Sequence, residues 1–324
     1  MDTLLDAFNQ LQLLLFESVV QPIVFAAGGA SILEVAYRGT GWLLVGLIQL
    51  LIMLALIGPL ERWRPVQVIR DRMSVRTDVL YTLIHRLGLF RVAVFFAVDP
   101  LWDQLWGWLA VNGHSGWRLD SLIEARWPGW NDLPLANFAL YLLIFDFVDY
   151  VYHRASHHFD AWWGLHALHH SQRELTMWAD NRNHLLDDLL RDIVLVQLGH
   201  LIGVPPGQFV ALVAVTQLVQ SLSHANVRLD FGRVGERLLV GPRYHRYHHS
   251  IGEGHESAGV GTLGGHNFAV LFPVWDVLFG TARFGAPIVA SGIRDQLPEA
   301  GGRDYGQGFW AQQWLGLCRL VGRG

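Results

Sequence analysis

Cysteine is nearly absent. The chain of 324 residues has one, Cys318, which excludes an intramolecular disulfide and any thiolate metal cluster. Charge is scarce as well: 16% of residues are Asp, Glu, Lys or Arg, against about a quarter in ordinary soluble domains. The net charge of −4 is small and no basic stripe is present, so no nucleic-acid partner is expected. There is no internal repeat, no low-complexity tract and no Ser/Gly linker. No G-x-G-x-x-G follows a predicted strand, so no flavin or nicotinamide domain is expected. Any metal site must be built from nitrogen and oxygen ligands.

What fills the chain is apolar. Hydrophobic residues make up 52%, there are fourteen tryptophans and mean hydropathy is +0.27, the composition of a membrane protein. The clearest span is "GWLLVGLIQLLIMLALIGPL", Gly41 to Leu60, which carries no charge and has the length needed to cross a bilayer. Residues 11–33 are apolar but hold Glu17 and Pro22, and read as a weaker first span or an interfacial helix. The acidic start, Asp2 and Asp6, argues against a cleavable signal peptide. Further apolar regions cover about 81–109, 133–152 and 189–222, the last broken by Gly203 and Pro205-Pro206 as in a helical hairpin. Arg62, Arg64, Arg70, Arg72 and Arg76 follow the Gly41–Leu60 span, which places residues 61–80 in the cytoplasm. Crossing out and back then brings every histidine-rich segment to the cytoplasmic face.

Twelve of the sixteen histidines lie between His153 and His249. They form three clusters: His153 with His157, then His166, His169 and His170, then His245, His248 and His249. Residues three and four apart share a helix face. A lone histidine on an apolar helix is ordinarily a hydrogen-bonded core residue, but three such clusters at one membrane depth exceed that explanation. Each buried neutral imidazole needs partners for both ring nitrogens, and a metal ion supplies a shared one. Eight or more histidines exceed what one tetrahedral zinc can use, so two metals are implied, and imidazole suits iron and copper. No Glu-x-x-His pair lies within the clusters, so the carboxylate-bridged four-helix architecture is not indicated. His158, His85, His114, His200 and His255 read as structural or solvent-facing.

At these residues the chain resembles the fatty acid hydroxylase/sterol desaturase superfamily. "DYVYHRASHHFDAWWGLHALHHS" is similar to its first two histidine boxes and "GPRYHRYHHS" to its third. The "RNH" and "SHANV" stretches, the closing "FPVWDVLFGT", Asp78 and Asp149 fit as well, so the likeness covers about residues 60–282. The family commonly carries Asn-Tyr/Phe-Gly after the third box, where this chain has His266-Asn267-Phe268-Ala269. His266 is left unassigned.

The resemblance implies an all-α integral membrane protein: about four transmembrane helices, as two helical hairpins, under a cytosolic helical cap that holds a histidine-rich dimetal site. It implies a metal set of His153, His157, His166, His169, His170, His184, His224, His245, His248 and His249. It further implies two iron ions, O2 as co-substrate, and hydroxylation or desaturation of a lipid C–H bond, in a sterol, fatty acyl or related lipid. Electrons then come from a separate ferredoxin or cytochrome b5-like donor.

Residues 1–60 are expected to be membrane segments, 61–282 the catalytic domain, and 283–324 a peripheral extension. Metal-bound histidines donate their second N–H to carboxylates or carbonyls. Asp149 and Asp276 are the favoured orienting groups, with Asp180, Asp187 and Asp188 open. Arg154, Arg182, Arg243 and Arg246 are expected among lipid headgroups. Trp162, Trp163, Trp178 and Trp275 fit either a substrate tunnel or an aromatic belt. Two other classes compete. A membrane metal transporter or metal-binding protein would hold its ligands near the bilayer midplane, whereas these clusters sit at span ends. A zinc-dependent membrane hydrolase would need a glutamate base as in H-E-x-x-H, which is absent.

Overall fold

The computed structural model describes residues 2–114, 116–253 and 264–323. Among them there are helices and loops and no strand. His255 and most of the "GEGHESAGVG" stretch lie outside the described residues.

Two helices are long and apolar enough to cross a membrane, Ala30–Trp63 and Pro134–His158. The first contains the Gly41–Leu60 run and turns its large side chains outward: Leu51, Leu54 and Leu56 are each about 60% exposed or more. A soluble core helix would bury them, so this face is built for lipid. Pro134–His158 is arranged in the same way. It buries Asn137, Asp146, Asp149, His153, Ser156 and His157 and exposes Leu135, Leu143 and Val151. The chain is a membrane protein with its polar groups inside.

Residues 81–109 do not form one continuous helix. The helix Arg72–Arg86 stops at Gly88, whose φ of +76° is the left-handed turn that glycine adopts without strain. Leu89–Ala97 and Asp99–Val111 follow as separate helices of 9 and 13 residues. At about 1.5 Å per residue neither alone covers about 30 Å of hydrocarbon, but together with the end of Arg72–Arg86 they run along Leu185–Ile202, His85 facing Asp188, Arg91 pairing with Asp192 and Trp106 bonding Gln197. The break at Gly203 is where it was expected. It ends Leu185–Ile202 at φ +73°, and Pro206–His224 follows, both packing on Pro134–His158 through Tyr141, Phe145, Leu195, Ile202 and Leu212.

Part of the segment after 282 packs against the cap. Its helix Phe309–Leu320 packs along Asp160–His170, so closely that a Cβ at Gly164 would press on the Arg319 backbone. Gln313 reaches the Tyr81 hydroxyl (2.9 Å) and accepts from the Leu185 N–H (2.9 Å). Polar ties hold the cap to the membrane helices. The Met177 and Asn226 N–H groups donate to Glu61, and Leu271, Phe272 and Trp275 Nε1 donate to Asp146.

Candidate metal centre

The histidines meet where four helices end. His153 and His157 occupy the last turns of Pro134–His158, and His224 is the last residue of Pro206–His224. The Asp160–His170 helix supplies His166, His169 and His170, and the short Pro242–His248 helix brings His245, His248 and, at its end, His249. Nine histidines converge in two buried groups. His153, His157, His166 and His170 form one, and His169, His224, His245 and His249 the other. In each, one ligand atom per residue lies within 4.8 Å of all the others. His248 stands at the first group, its Nε2 3.0 Å from that of His153.

Helical geometry explains the sorting. At about 100° per residue, positions i and i+4 differ by only about 40°, while i+3 and i+4 differ by about 100°. His166 and His170 therefore serve one group and His169 the other. The third box does the reverse: His245 and His249 join the second group while His248 turns to the first. The rings of His170 and His249 stack at 4.3 Å where the groups adjoin.

Hydrogen bonds fix the tautomers and test whether a metal fits. His153 Nδ1–H donates to the Phe268 carbonyl (2.7 Å) and His248 Nδ1–H to the His266 carbonyl (2.7 Å). Both Nε2 atoms are then lone pairs, yet they face each other at 3.0 Å with no proton to share. A cation is what such a pair can bind. His166 repeats the pattern, with Nδ1 on Asp187 (3.1 Å) and Nε2 buried without a hydrogen-bond partner. In the second group His224 gives Nδ1–H to the Gln220 carbonyl (2.8 Å) and aims Nε2 at His169 (3.1 Å) and His245 (3.0 Å). The donor set, neutral imidazoles of which His153, His166, His224 and His248 have their outer nitrogens engaged, suits two metal ions.

Burial, then the neighbouring imidazoles, holds His169, His170, His245 and His249 well below the ordinary histidine range, and burial brings His248 down to about 3. In the unfolded chain these groups protonate near 6.5. Below that pH the unfolded state binds more protons, so the metal-free protein is at full stability above about 6.5 and loses stability as pH falls toward 3. For His248 the slope is about 1.4 kcal/mol per pH unit in that window. Thermal unfolding of chelator-treated protein on either side of about pH 6.5 checks this.

His184 stands apart from both groups: its Nε2–H donates to the Gln313 carbonyl (2.8 Å), and its Nδ1 accepts from the Leu186 N–H (3.1 Å), capping the helix that follows. Both nitrogens are engaged, so none remains for a metal. Of the carboxylates, Asp187 contacts a histidine ring, and it also accepts from the Tyr152 hydroxyl (2.7 Å) and Trp162 Nε1 (2.9 Å). Asp149 instead takes both arms of Arg191 at 2.7 Å. Asp276 acts through the backbone. It accepts from the Phe268 and Ala269 N–H groups and from Tyr244, and so holds the carbonyl that orients His153. His266 likewise contributes its carbonyl to His248, while its ring meets Glu253 (2.8 Å). Replacing Asp187 with Asn is expected to lower metal affinity by about 10–100-fold, read by competition with a chromophoric chelator.

Arg182 and Arg246 are buried, 3% and 2% exposed, and not among headgroups. Arg182 pairs with Asp78.

The profile of the fatty acid hydroxylase family matches residues 138–281, from the helix that carries His153 to Thr281 beside Asp276. Ornithine lipid hydroxylase OlsE of Rhizobium tropici is 30% identical over 270 residues, covering 82% of this chain and 74% of that protein. The chain belongs to the fatty acid hydroxylase family. Alkylglycerol monooxygenase of Caenorhabditis elegans, also similar, is 26% identical over 160 residues, 48% of this chain and 30% of that one. No solved structure matches the chain.

After the third box the chain turns at Asn267, two residues before Ala269. Asn267 takes φ +60°, a left-handed conformation asparagine tolerates, and its side chain bonds the Tyr244 and Arg283 carbonyls (3.0 and 3.1 Å). That turn presents Phe268 to His153, His157 and His248.

Proposed function

We propose that the chain is a membrane-bound di-iron lipid hydroxylase. One iron is held by His153, His157, His166 and His170 with His248 beside them, the other by His169, His224, His245 and His249. The observation that carries this reading is the pair of opposed Nε2 lone pairs on His153 and His248, within a cluster of nine converging histidines. Two groups of four suit two ions, where a zinc hydrolase would need one. The substrate class is a polar membrane lipid, in keeping with relatives named for ornithine lipid and alkylglycerol.

When bound, the irons supply the activation of O2 and the removal of hydrogen from an unactivated C–H bond. The chain's residues supply the rest. Asp187 and the Phe268, His266 and Gln220 carbonyls hold the imidazoles in one tautomer and orientation. Burial keeps water from the reacting centre. The balance is one oxygen atom into the C–H bond and one into water, with two electrons delivered one at a time by a separate ferredoxin or cytochrome b5-like donor and two protons from solvent. Leu185–Ile202 and Pro206–His224 complete a membrane bundle with Ala30–Trp63 and Pro134–His158. The arginines after Trp63 support a cytoplasmic histidine cap.

The test is turnover under isotopically labelled O2. Iron is loaded anaerobically, a reductant is added, and lipids of the host membrane are analysed by mass spectrometry. One labelled oxygen per altered lipid is expected. Label that enters from water, or release of a fatty acid without oxidation, would contradict the proposal.

A further inference from the structure

An oxidisable ring lies against the first histidine group. The Trp163 indole has its centroid 5.1 Å from that of His157, 5.4 Å from His170 and 6.3 Å from His166. Phe268, whose benzene ring gives up an electron far less readily, covers His153, His157 and His248. Trp163 is half-buried, so it reaches from the buried imidazoles toward the outside of the cap.

Away from the histidines, Trp163 packs on a small cluster of Ala167, Ile293 and Tyr305. Arg319 holds Tyr305 against the helix that carries Trp163. Its Nε–H donates to the carbonyl of Gly164 (3.1 Å), the next residue after Trp163, and its guanidinium lies over the Tyr305 ring at 4.4 Å. The Tyr305 hydroxyl donates to Asp295, 3.1 Å from both carboxylate oxygens. Asp295 also takes Arg303 (3.1 Å), and its side chain is 32% exposed. Burial, then the charge of Asp295, pushes the Tyr305 phenol up, so it keeps its proton at neutral pH. From the first group outward the order is therefore imidazole, indole, phenol and a carboxylate at the surface. Indole and phenol are among the side chains that give up one electron most readily, phenol when a base takes its proton.

We infer that Trp163 and Tyr305 form an outlet for oxidising equivalents, which drains the centre when O2 has reacted and no lipid C–H bond is in place. This rests on the proposed O2 chemistry and adds a protective activity to the same site. The outlet moves one electron at a time. An electron passes from the Trp163 indole to the oxidised centre. One from Tyr305 refills the indole while the phenolic proton moves to Asp295. A soluble reductant such as ascorbate then returns one electron to Tyr305, and Asp295 returns the proton. The centre has gained one electron, the reductant has lost one and the chain is unchanged. Without such a route the oxidising power is spent on the imidazoles that hold the centre. Excluding that competing reaction is the protein's share of the chemistry.

The test is turnover without lipid. Full-length protein in detergent is loaded anaerobically with iron, checked for iron content, and given O2 and ascorbate. O2 uptake is recorded, radicals are trapped by freezing for electron paramagnetic resonance, and oxidised residues are located by peptide mass spectrometry. The unaltered protein should show a tryptophanyl or tyrosyl radical, with oxidation mapped to Trp163 and Tyr305. Trp163→Phe should lose that signal, inactivate after several-fold less O2 is consumed, and carry its oxidation on the ligand histidines. Trp163→Tyr, still oxidisable, should keep the protection, whereas a role in packing alone would treat the two variants alike. Tyr305→Phe should leave lipid-coupled turnover unchanged and accumulate oxidation on Trp163. Two results would overturn the outlet and leave hydroxylation standing: oxidation mapped to Trp162 and Tyr152, the aromatic pair on the Asp187 side, or equal lifetimes of Trp163→Phe and Trp163→Tyr. The mapping in the unaltered protein needs no variant, so it decides even if a variant fails to fold. No O2 uptake by the iron-loaded, unaltered protein would refute the hydroxylase reading and the outlet with it.

Discussion

Replacing His153 with alanine should reduce lipid oxygenation by more than the 10–100-fold that loss of an outer partner produces, while the helical content stays the same. His153 is the residue on which three features meet. Its Nδ1–H is fixed by the Phe268 carbonyl, its Nε2 opposes that of His248, and its ring lies against those of His157 and His166. Alanine removes one donor to the first metal and frees His248 from its partner. Oxygen uptake by the iron-loaded protein reads the effect, with circular dichroism as the control for folding. A loss below tenfold would place His153 outside the ligand set.

Asp78→Ala should destabilise the protein by about 3–5 kcal/mol, the usual result of removing one member of a buried ion pair. Asp78 is fully buried and accepts from both Arg182 and Gln172, while Arg182 also reaches the Ser74 carbonyl (3.1 Å). The pair staples the helix Arg72–Arg86 to the segment between the second histidine box and His184. Alanine would leave Arg182 charged, 3% exposed and without its counterion. An apolar pair in place of both, Asp78→Leu with Arg182→Met, should recover most of the loss because no charge is then stranded. Denaturant unfolding in detergent measures both. Equal stability of Asp78→Ala and the unaltered protein would contradict this account of the pair.

The gathering of the histidines was legible in their spacing, but the split was not: the three-and-four rule put His166, His169 and His170 on one face, while the structure sends His169 to the second group and, in the third box, His248 to the first. His184, in "RNH", lies beside the clusters in sequence, while its two nitrogens go to backbone groups that sequence does not reveal. Asp187 was hidden among several nearby aspartates. Only the helix turn that starts at Leu185 decides that it, and not Asp188, meets His166.

Hydropathy is hardest to read where a helix is inside out. Phe309–Leu320 buries Gln312, Gln313, Gly316 and Arg319 and exposes Trp310, Trp314 and Leu317, so its polar face looks like a surface and is in fact the contact with the cap. The apolar stretch at 81–109 is broken where composition suggested one continuous run: Gly88 ends one helix and Pro100 starts another.

The measurement that bears most directly on the two-metal centre is iron stoichiometry. Detergent-purified protein, loaded anaerobically with iron and desalted, is analysed by plasma mass spectrometry beside the double variant His169→Ala, His248→Ala, which removes one histidine from each side of the cluster. Near two irons per chain in the unaltered protein, and a marked loss in a variant that still folds, are the predicted results. Retention of no iron by the unaltered protein, or two irons held equally well by the variant, would contradict the centre described above.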